Sequence, residues 1–356
     1  MSDARRILVT GAGGFIGGRI SEVLHTLGIG SVRAAQRRWS SGARIGRFPV
    51  DLIRCDIRDP RDVSSALEGI THVVHCAVGD RSTTIDGTRT LLQGALAAGV
   101  ARIVHLSTVD VYGTPTGDVD ERQPLTQTGR EYGDTKIEAE RVCQDMASRG
   151  LPVTILRPTL VHGPFSATWT VAYAQRLGSR PWLVAESDAQ GTCNLVYVDD
   201  LVGAVISALD APVPTGEVFN INGPERPTWH AYFSALNDAM GLPPLQAATP
   251  TSARIKAGAM LPVRSAAKFA MKHFQGPVMA AYQRFPLARV VMKEAEARIK
   301  RTPAPSEFEV YSRKVSYSTA KAERLLAFKP RFPLAEALPL TAAWLRHHRY
   351  VKNGAR

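Results

Sequence analysis

The 356-residue chain has no uninterrupted apolar stretch approaching the ~20 residues that a helix needs to cross a bilayer. Cysteine is scarce. Cys55, Cys76, Cys143 and Cys193 are scattered without metal-ligand spacing, which argues against a disulfide scaffold or a zinc module and for reduced thiols in a cytoplasmic protein. The first apolar run lies so close to Met1 that no cleavable leader is expected before it. Aromatic residues make up only 7%, and no basic–aromatic box or finger spacing points to nucleic acid. Acidic residues are thin in the last third, where residues 251–356 hold 21 Lys and Arg against 6 Asp and Glu. That segment carries +15 of a chain whose total is +12, so the remainder is slightly acidic. The basic, helix-like stretch 251–300, with Phe269, Phe274, Tyr282 and Phe285 interspersed, is expected to pack on a substrate lobe. A weak contact with an acidic membrane surface is the alternative.

What the chain does contain is alternation. Apolar runs at Ile7–Val9, Val32–Gln36, Asp51–Cys55, His72–His75, Arg102–Leu106 and Val153–Leu156 read as strands. Between them, Phe15–Leu27, Asp62–Glu68, Asp86–Ala98 and Tyr132–Arg149 read as helices. Strands separated by helices imply right-handed crossovers and a parallel sheet covered on both faces, an α/β, Rossmann-type doubly wound fold. Beyond residue 158 the pattern loosens into Pro-punctuated segments. A dinucleotide-binding domain over 1–160 is therefore expected, rejoined by Leu195–Val198 and Glu217–Ile221, followed by a smaller, mainly helical substrate lobe over 161–345 and a basic tail over 346–356.

The segment Thr10-Gly11-Ala12-Gly13-Gly14-Phe15-Ile16-Gly17 follows the first strand directly. Gly11, Gly14 and Gly17 fit a tight turn between strand and helix, where a side chain would block a phosphate and the helix N-terminus would face it. Further on, Tyr132-Gly133-Asp134-Thr135-Lys136 opens a long helix with Tyr132 and Lys136 one turn apart on one face. An ammonium there would favour phenolate, equipping Tyr132 to exchange a proton with an alcohol or ketone. Ser107 and Thr108 end a strand at the sheet edge that faces the crevice, where a hydroxyl can hold the substrate oxygen.

Together with His75-Cys76-Ala77, Gly87-Thr88, Leu106–Gly113, Leu156-Arg157-Pro158 and Val196–Leu201, these stretches resemble the extended short-chain dehydrogenase/reductase family, also called the NAD-dependent epimerase/dehydratase family. The resemblance runs from residue 7 to about 230 and resumes at Tyr317–Ala322. It implies a triad of Thr108, Tyr132 and Lys136, with Ser107 beside it, and Lys136 also bonding a nicotinamide ribose. It implies cofactor contacts at Gly11, Gly14, Phe15, Ile16, Gly17, Ala77 and Pro158, with Asp56 and Ile57 beside the adenine, no metal, and a homodimer.

After the second strand, where a carboxylate would accept the ribose hydroxyls of NAD, stand Gln36, Arg37 and Arg38. Guanidinium groups can bind a 2′-phosphate, so NADP is expected over NAD, with Arg37 as its contact. Three positions depart from the family's sugar-nucleotide pattern. Val109 replaces the first of an acidic pair, disfavouring dehydration. Cys193 stands where an Arg would clamp a diphosphate, and Thr84 stands where many members have Asn. The expected activity is hydride transfer on a small-molecule secondary alcohol or ketone, by epimerisation or ketoreduction of a sugar or nucleotide sugar. The alternative is a bulkier apolar alcohol, as in hydroxysteroid-dehydrogenase-like or flavonoid-reductase-like enzymes. A non-catalytic dinucleotide-binding scaffold would have no need of Tyr132 and Lys136. For a sugar diphosphate, Arg254, Lys256 or Arg264 would have to supply the missing clamp.

Overall fold

The structure, a computed structural model, describes residues 5–179, 182, 184–245 and 249–351. The strands in chain order are β1 Arg6–Thr10, β2 Ser31–Gln36, β3 Asp51–Arg54, β4 His72–His75, β5 Arg102–Leu106, β6 Gly117–Val119, β7 Val153–Pro158, β8 Leu160–His162, β9 Leu195–Tyr197, β10 Val218–Ile221 and β11 Val315–Tyr317. Seven of them form one sheet in the order β10-β7-β5-β4-β1-β2-β3, with every mapped pairing parallel. The order reverses beside β1, so the carboxyl ends of β1, β2 and β4 flank the crevice where such sheets take ligands. Ile7, Leu8, Val9, Val73 and Val74 are fully buried, as expected of central parallel strands covered on both faces.

The helices beside this sheet are α1 Phe15–Thr26, α2 Pro60–Leu67, α3 Arg81–Ala97 and α4 Glu131–Ser148. α3 starts five residues before the expected Asp86, because the Asp80 carboxylate caps it by accepting the Thr83 N–H at 2.8 Å. Contrary to expectation, Leu195–Tyr197 does not rejoin the main sheet. β10 takes the edge beside β7, so β9 pairs instead with β8 in a separate two-stranded parallel sheet.

The chain divides into two compact units. The first comprises residues 1–162, 194–224 and 316–333, and the second 163–193, 225–315 and 334–356. Residues 316–333, expected in the lobe, thus belong with the sheet. Asp200 helps hold them there by accepting the Arg331 N–H at 2.6 Å and the Phe332 N–H at 3.3 Å. The second unit is mainly helical: α5 Ala172–Gly178, then, past α6 Val198–Asp210 of the first unit, α7 Trp229–Ala239, α8 Pro250–Ala259, α9 Leu261–His273, α10 Gln275–Arg284, α11 Pro286–Arg301, α12 Pro305–Ser312 and, past α13 Ala320–Leu326 of the first unit, α14 Leu334–His347. Its core gathers Tyr173, Trp229, Phe233 and Tyr311 with ring centroids 4.9–6.0 Å apart for the closest pairs. Of the expected basic tail, residues 352–356 lie outside the described residues.

Candidate active site

The glycine turn is built by close approach. Gly11 sits at φ +69°, and a Cβ on it would lie 2.8 Å from the Ala77 nitrogen at the end of β4. A Cβ on Gly17 would fall 2.5 Å from the Gly11 carbonyl oxygen, so α1 can begin against the turn only if that position is bare. Gly14 has ordinary backbone angles and caps α1, whose first residues are Phe15 and Ile16. Their N–H groups precede any intrahelical acceptor and mark the positive end of the helix dipole. Behind the turn, His75 ties the elements together: Nδ1 lies 2.7 Å from the Thr10 hydroxyl and Nε2 2.9 Å from that of Thr88. Burial lowers this imidazole to about 3, so it is neutral and structural.

In front of the turn lies a groove of about 310 Å³ that brings together Gly11, Gly14, Arg37, Asp56, Ile57 and Ala77. Gln36, Ser41, Cys55 and Thr83, to which the sequence reading gave no contact role, line it as well. Asp56 is held down at about 2, chiefly by a side-chain hydrogen bond with the Arg58 guanidinium, and Arg37 adds a smaller attraction. Gln36 is only 3% exposed, yet neither its amide nitrogen nor its amide oxygen finds a partner. A buried orphan amide at the groove wall is what a ligand-binding position leaves when protein groups alone are counted. The bare glycines, the exposed helix N-terminus and this amide fit a dinucleotide whose pyrophosphate rests on the turn.

The second cluster lies along the carboxyl end of β5 and the start of α4. Thr108 caps the short turn Val109–Tyr112 by accepting the Asp110 N–H at 3.2 Å, and its hydroxyl lies near enough to the Tyr132 phenol to favour the phenolate. Tyr132 is 49% exposed, but its hydroxyl lies among enough protein that desolvation pushes the phenol up to about 12. The Asp110 carboxylate adds to the rise, and Thr108 opposes it. The expected lowering by Lys136 is not what the geometry delivers. The buried Lys136 ammonium donates to the Leu106 carbonyl at 2.7 Å, and burial brings it down to about 8. Pro158, at the end of β7, is buried and is not among the residues that line the groove.

Ser107 stands one residue from Thr108 but is occupied differently. Its hydroxyl donates to the Glu140 carboxylate, which receives Arg157 at 2.6 and 2.9 Å. Arg157 also donates to the Tyr112 hydroxyl at 2.8 Å, which in turn donates to Asn220 at 2.7 Å. These residues are all nearly inaccessible, so the network ties β5, α4, β7 and β10 together behind Thr108 and Tyr132. The signal for Glu140 was present in the sequence: it follows Tyr132 and Lys136 at the same four-residue interval.

The candidate clamps fare poorly. Cys193 is fully buried, and burial pushes its thiol well above the usual range. Arg254 donates to the buried carboxylate of Asp188 at 2.6 Å, and Arg264 donates to the carbonyls of Ile299 and Thr302. The side chain of Lys256 lies outside the described residues. Thr84 is buried against the Gly79 backbone.

Residues 7–222 match the NAD dependent epimerase/dehydratase family. The chain belongs to that family. Among curated relatives it is 37% identical over 171 residues to sterol demethylase protein B of Methylococcus capsulatus, a match covering 44% of this chain and 52%, about half, of that protein. It is 28% identical to the uncharacterized UDP-glucose epimerase YtcB of Bacillus subtilis, over 66% of this chain and 82% of that one. The fold matches UDP-glucuronic acid 4-epimerase from Bacillus cereus, whose structure is a complex with NAD. There the TM-score is 0.71 at 20% identity, covering 96% of this chain and 99% of the other.

Proposed function

We propose that this protein is a nicotinamide-dependent oxidoreductase that interconverts a bulky, largely apolar secondary alcohol and its ketone. The observation that carries the reading is the placing of the Thr108 hydroxyl near the Tyr132 phenol at the carboxyl edge of the sheet that also carries the glycine groove. In ketone reduction the Tyr132 hydroxyl, protonated at neutral pH by its raised pKa, donates its proton to the carbonyl oxygen. Thr108 hydrogen-bonds the same oxygen and holds it against Tyr132. Lys136, anchored on the Leu106 carbonyl and titrating near 8, would hold the nicotinamide ribose. When bound, the nicotinamide supplies or accepts the hydride.

The apolar substrate is favoured because the described candidates for the diphosphate clamp are taken. Cys193 is a buried thiol, and Arg254 and Arg264 are already engaged. The likeness to sterol demethylase protein B of Methylococcus capsulatus points the same way. Reduction or epimerisation of a nucleotide sugar is the second reading, favoured by the likeness to YtcB. NADP is proposed over NAD because Gln36 replaces a carboxylate that would repel a 2′-phosphate, with the exposed Arg37 and Arg38 beside it. A thermal-shift panel of NADP, NAD, sterol-like alcohols and nucleotide sugars tests all three parts. Stabilisation by NADP plus a sterol-like alcohol is the expected result, whereas stabilisation by a uridine or deoxythymidine diphosphate would reverse the substrate assignment.

A further inference from the structure

The segment spanning α8 to α11 inverts the usual rule for helices. Of 19 exposed large apolar residues among those described, 11 fall between Ile255 and Val291. In α11, Leu287, Val290 and Val291 stand at i, i+3 and i+4, so they share one face, and they are 76%, 64% and 59% exposed. On an ordinary surface helix that spacing marks the buried stripe. Phe285, at the junction of α10 and α11, is 56% exposed. In and after α9, Phe269 and Phe274 are 59% and 51% exposed, and their rings group with that of His273. Three consecutive helices that pack in sequence, α9 on α10 and α10 on α11, thus present bulky apolar side chains outward. A patch of this kind marks an interaction surface.

Charge identifies the partner. Residues 261–301, which make up α9 to α11, contain nine Lys and Arg against two acidic residues, Glu294 and Glu296, so the surface carries a net positive charge. Within that run Arg284 and Lys293 are exposed beside the apolar stripe. A protein partner would have to be both acidic and apolar over the same area, and a second copy would set like charges against each other. An anionic bilayer offers both properties in one surface: headgroup charge for the cations and an acyl boundary for Phe and Leu. No described helix is long and apolar enough to cross a membrane, so contact would be interfacial. We propose that α9 to α11 dock this protein onto anionic lipid, with Phe269, Phe274, Phe285, Leu287, Val290 and Val291 entering the headgroup–acyl boundary.

The test is co-sedimentation of the full chain with sucrose-loaded vesicles, either phosphatidylcholine alone or phosphatidylcholine with about 30% phosphatidylglycerol. Binding to the anionic vesicles, weakened by raised salt, is expected. Leu287→Ser with Phe285→Ser should lower the partition at least about tenfold, because two large apolar side chains are lost from the boundary. Arg284→Gln with Lys293→Gln should reduce the preference for anionic over neutral vesicles. All four positions are exposed, so thermal unfolding of these variants should match the parent. Absence of binding to anionic vesicles, or binding that ignores both pairs of substitutions, overturns the proposal. So does a dimer that Leu287→Ser with Phe285→Ser converts to monomer while neither protein binds lipid. Each readout is independent of turnover, so failure here leaves the oxidoreductase reading standing.

Discussion

Opposing influences meet at the Tyr132 hydroxyl. Burial and the Asp110 carboxylate favour the protonated phenol, and Thr108 favours the phenolate. A negative charge disfavours a second one nearby, so Asp110→Asn should lower the phenol pKa and move the rising limb of alcohol oxidation to lower pH. A pH–rate profile that does not move would remove Asp110 from the site. Tyr132→Phe should leave cofactor binding intact and reduce turnover by about 10²-fold or more, read from steady-state kinetics beside cofactor titration. At the other end of the groove, Arg37→Ala should weaken NADP far more than NAD in direct binding, and equal losses would count against the 2′-phosphate reading. Thr108, Tyr132 and Lys136 were legible as types and spacings. What Lys136 touches was not, because a helical interval fixes which face a side chain shares but not which neighbouring carbonyl accepts from it.

Elements hold these residues in register through two devices of opposite character. One is bare backbone. Gly17→Ala would push a methyl group toward the Gly11 carbonyl at the root of α1, so weakened cofactor binding should accompany lowered stability, compared by isothermal titration and denaturant unfolding. The other is the buried Glu140–Arg157 pair, with its Ser107 and Tyr112 partners. Glu140→Gln leaves a guanidinium without its counter-charge in the interior and should cost about 3–5 kcal/mol, read as a fall in the urea midpoint. The strands and helices of the sheet were plain in the sequence because apolar runs and helical stretches alternate there without interruption. The start of α3 was hidden because Ser82-Thr83-Thr84 reads as loop until Asp80 is seen to cap it. The destination of Leu195–Tyr197 was hidden because nothing in a three-residue apolar run specifies which strand it will meet.

For the whole molecule the decisive feature is that the chain passes between its two units five times, at residues 162, 193, 224, 315 and 333. The alternation up to residue 158 made the first unit readable, but the later passes depend on contacts such as Asp200 with the backbone of residues 331–332, which no local pattern announces. A chain truncated near residue 250 would strip the sheet unit of 316–333, so it should lose stability in the nucleotide groove as well as in the lobe. Limited proteolysis and cofactor binding of that fragment provide the check. The same threading bears on how such a protein can change over time. Neither unit is a cassette that recombination could lift out and replace, because every cut would sever the other. New specificity must therefore accumulate by point substitution within a shared framework.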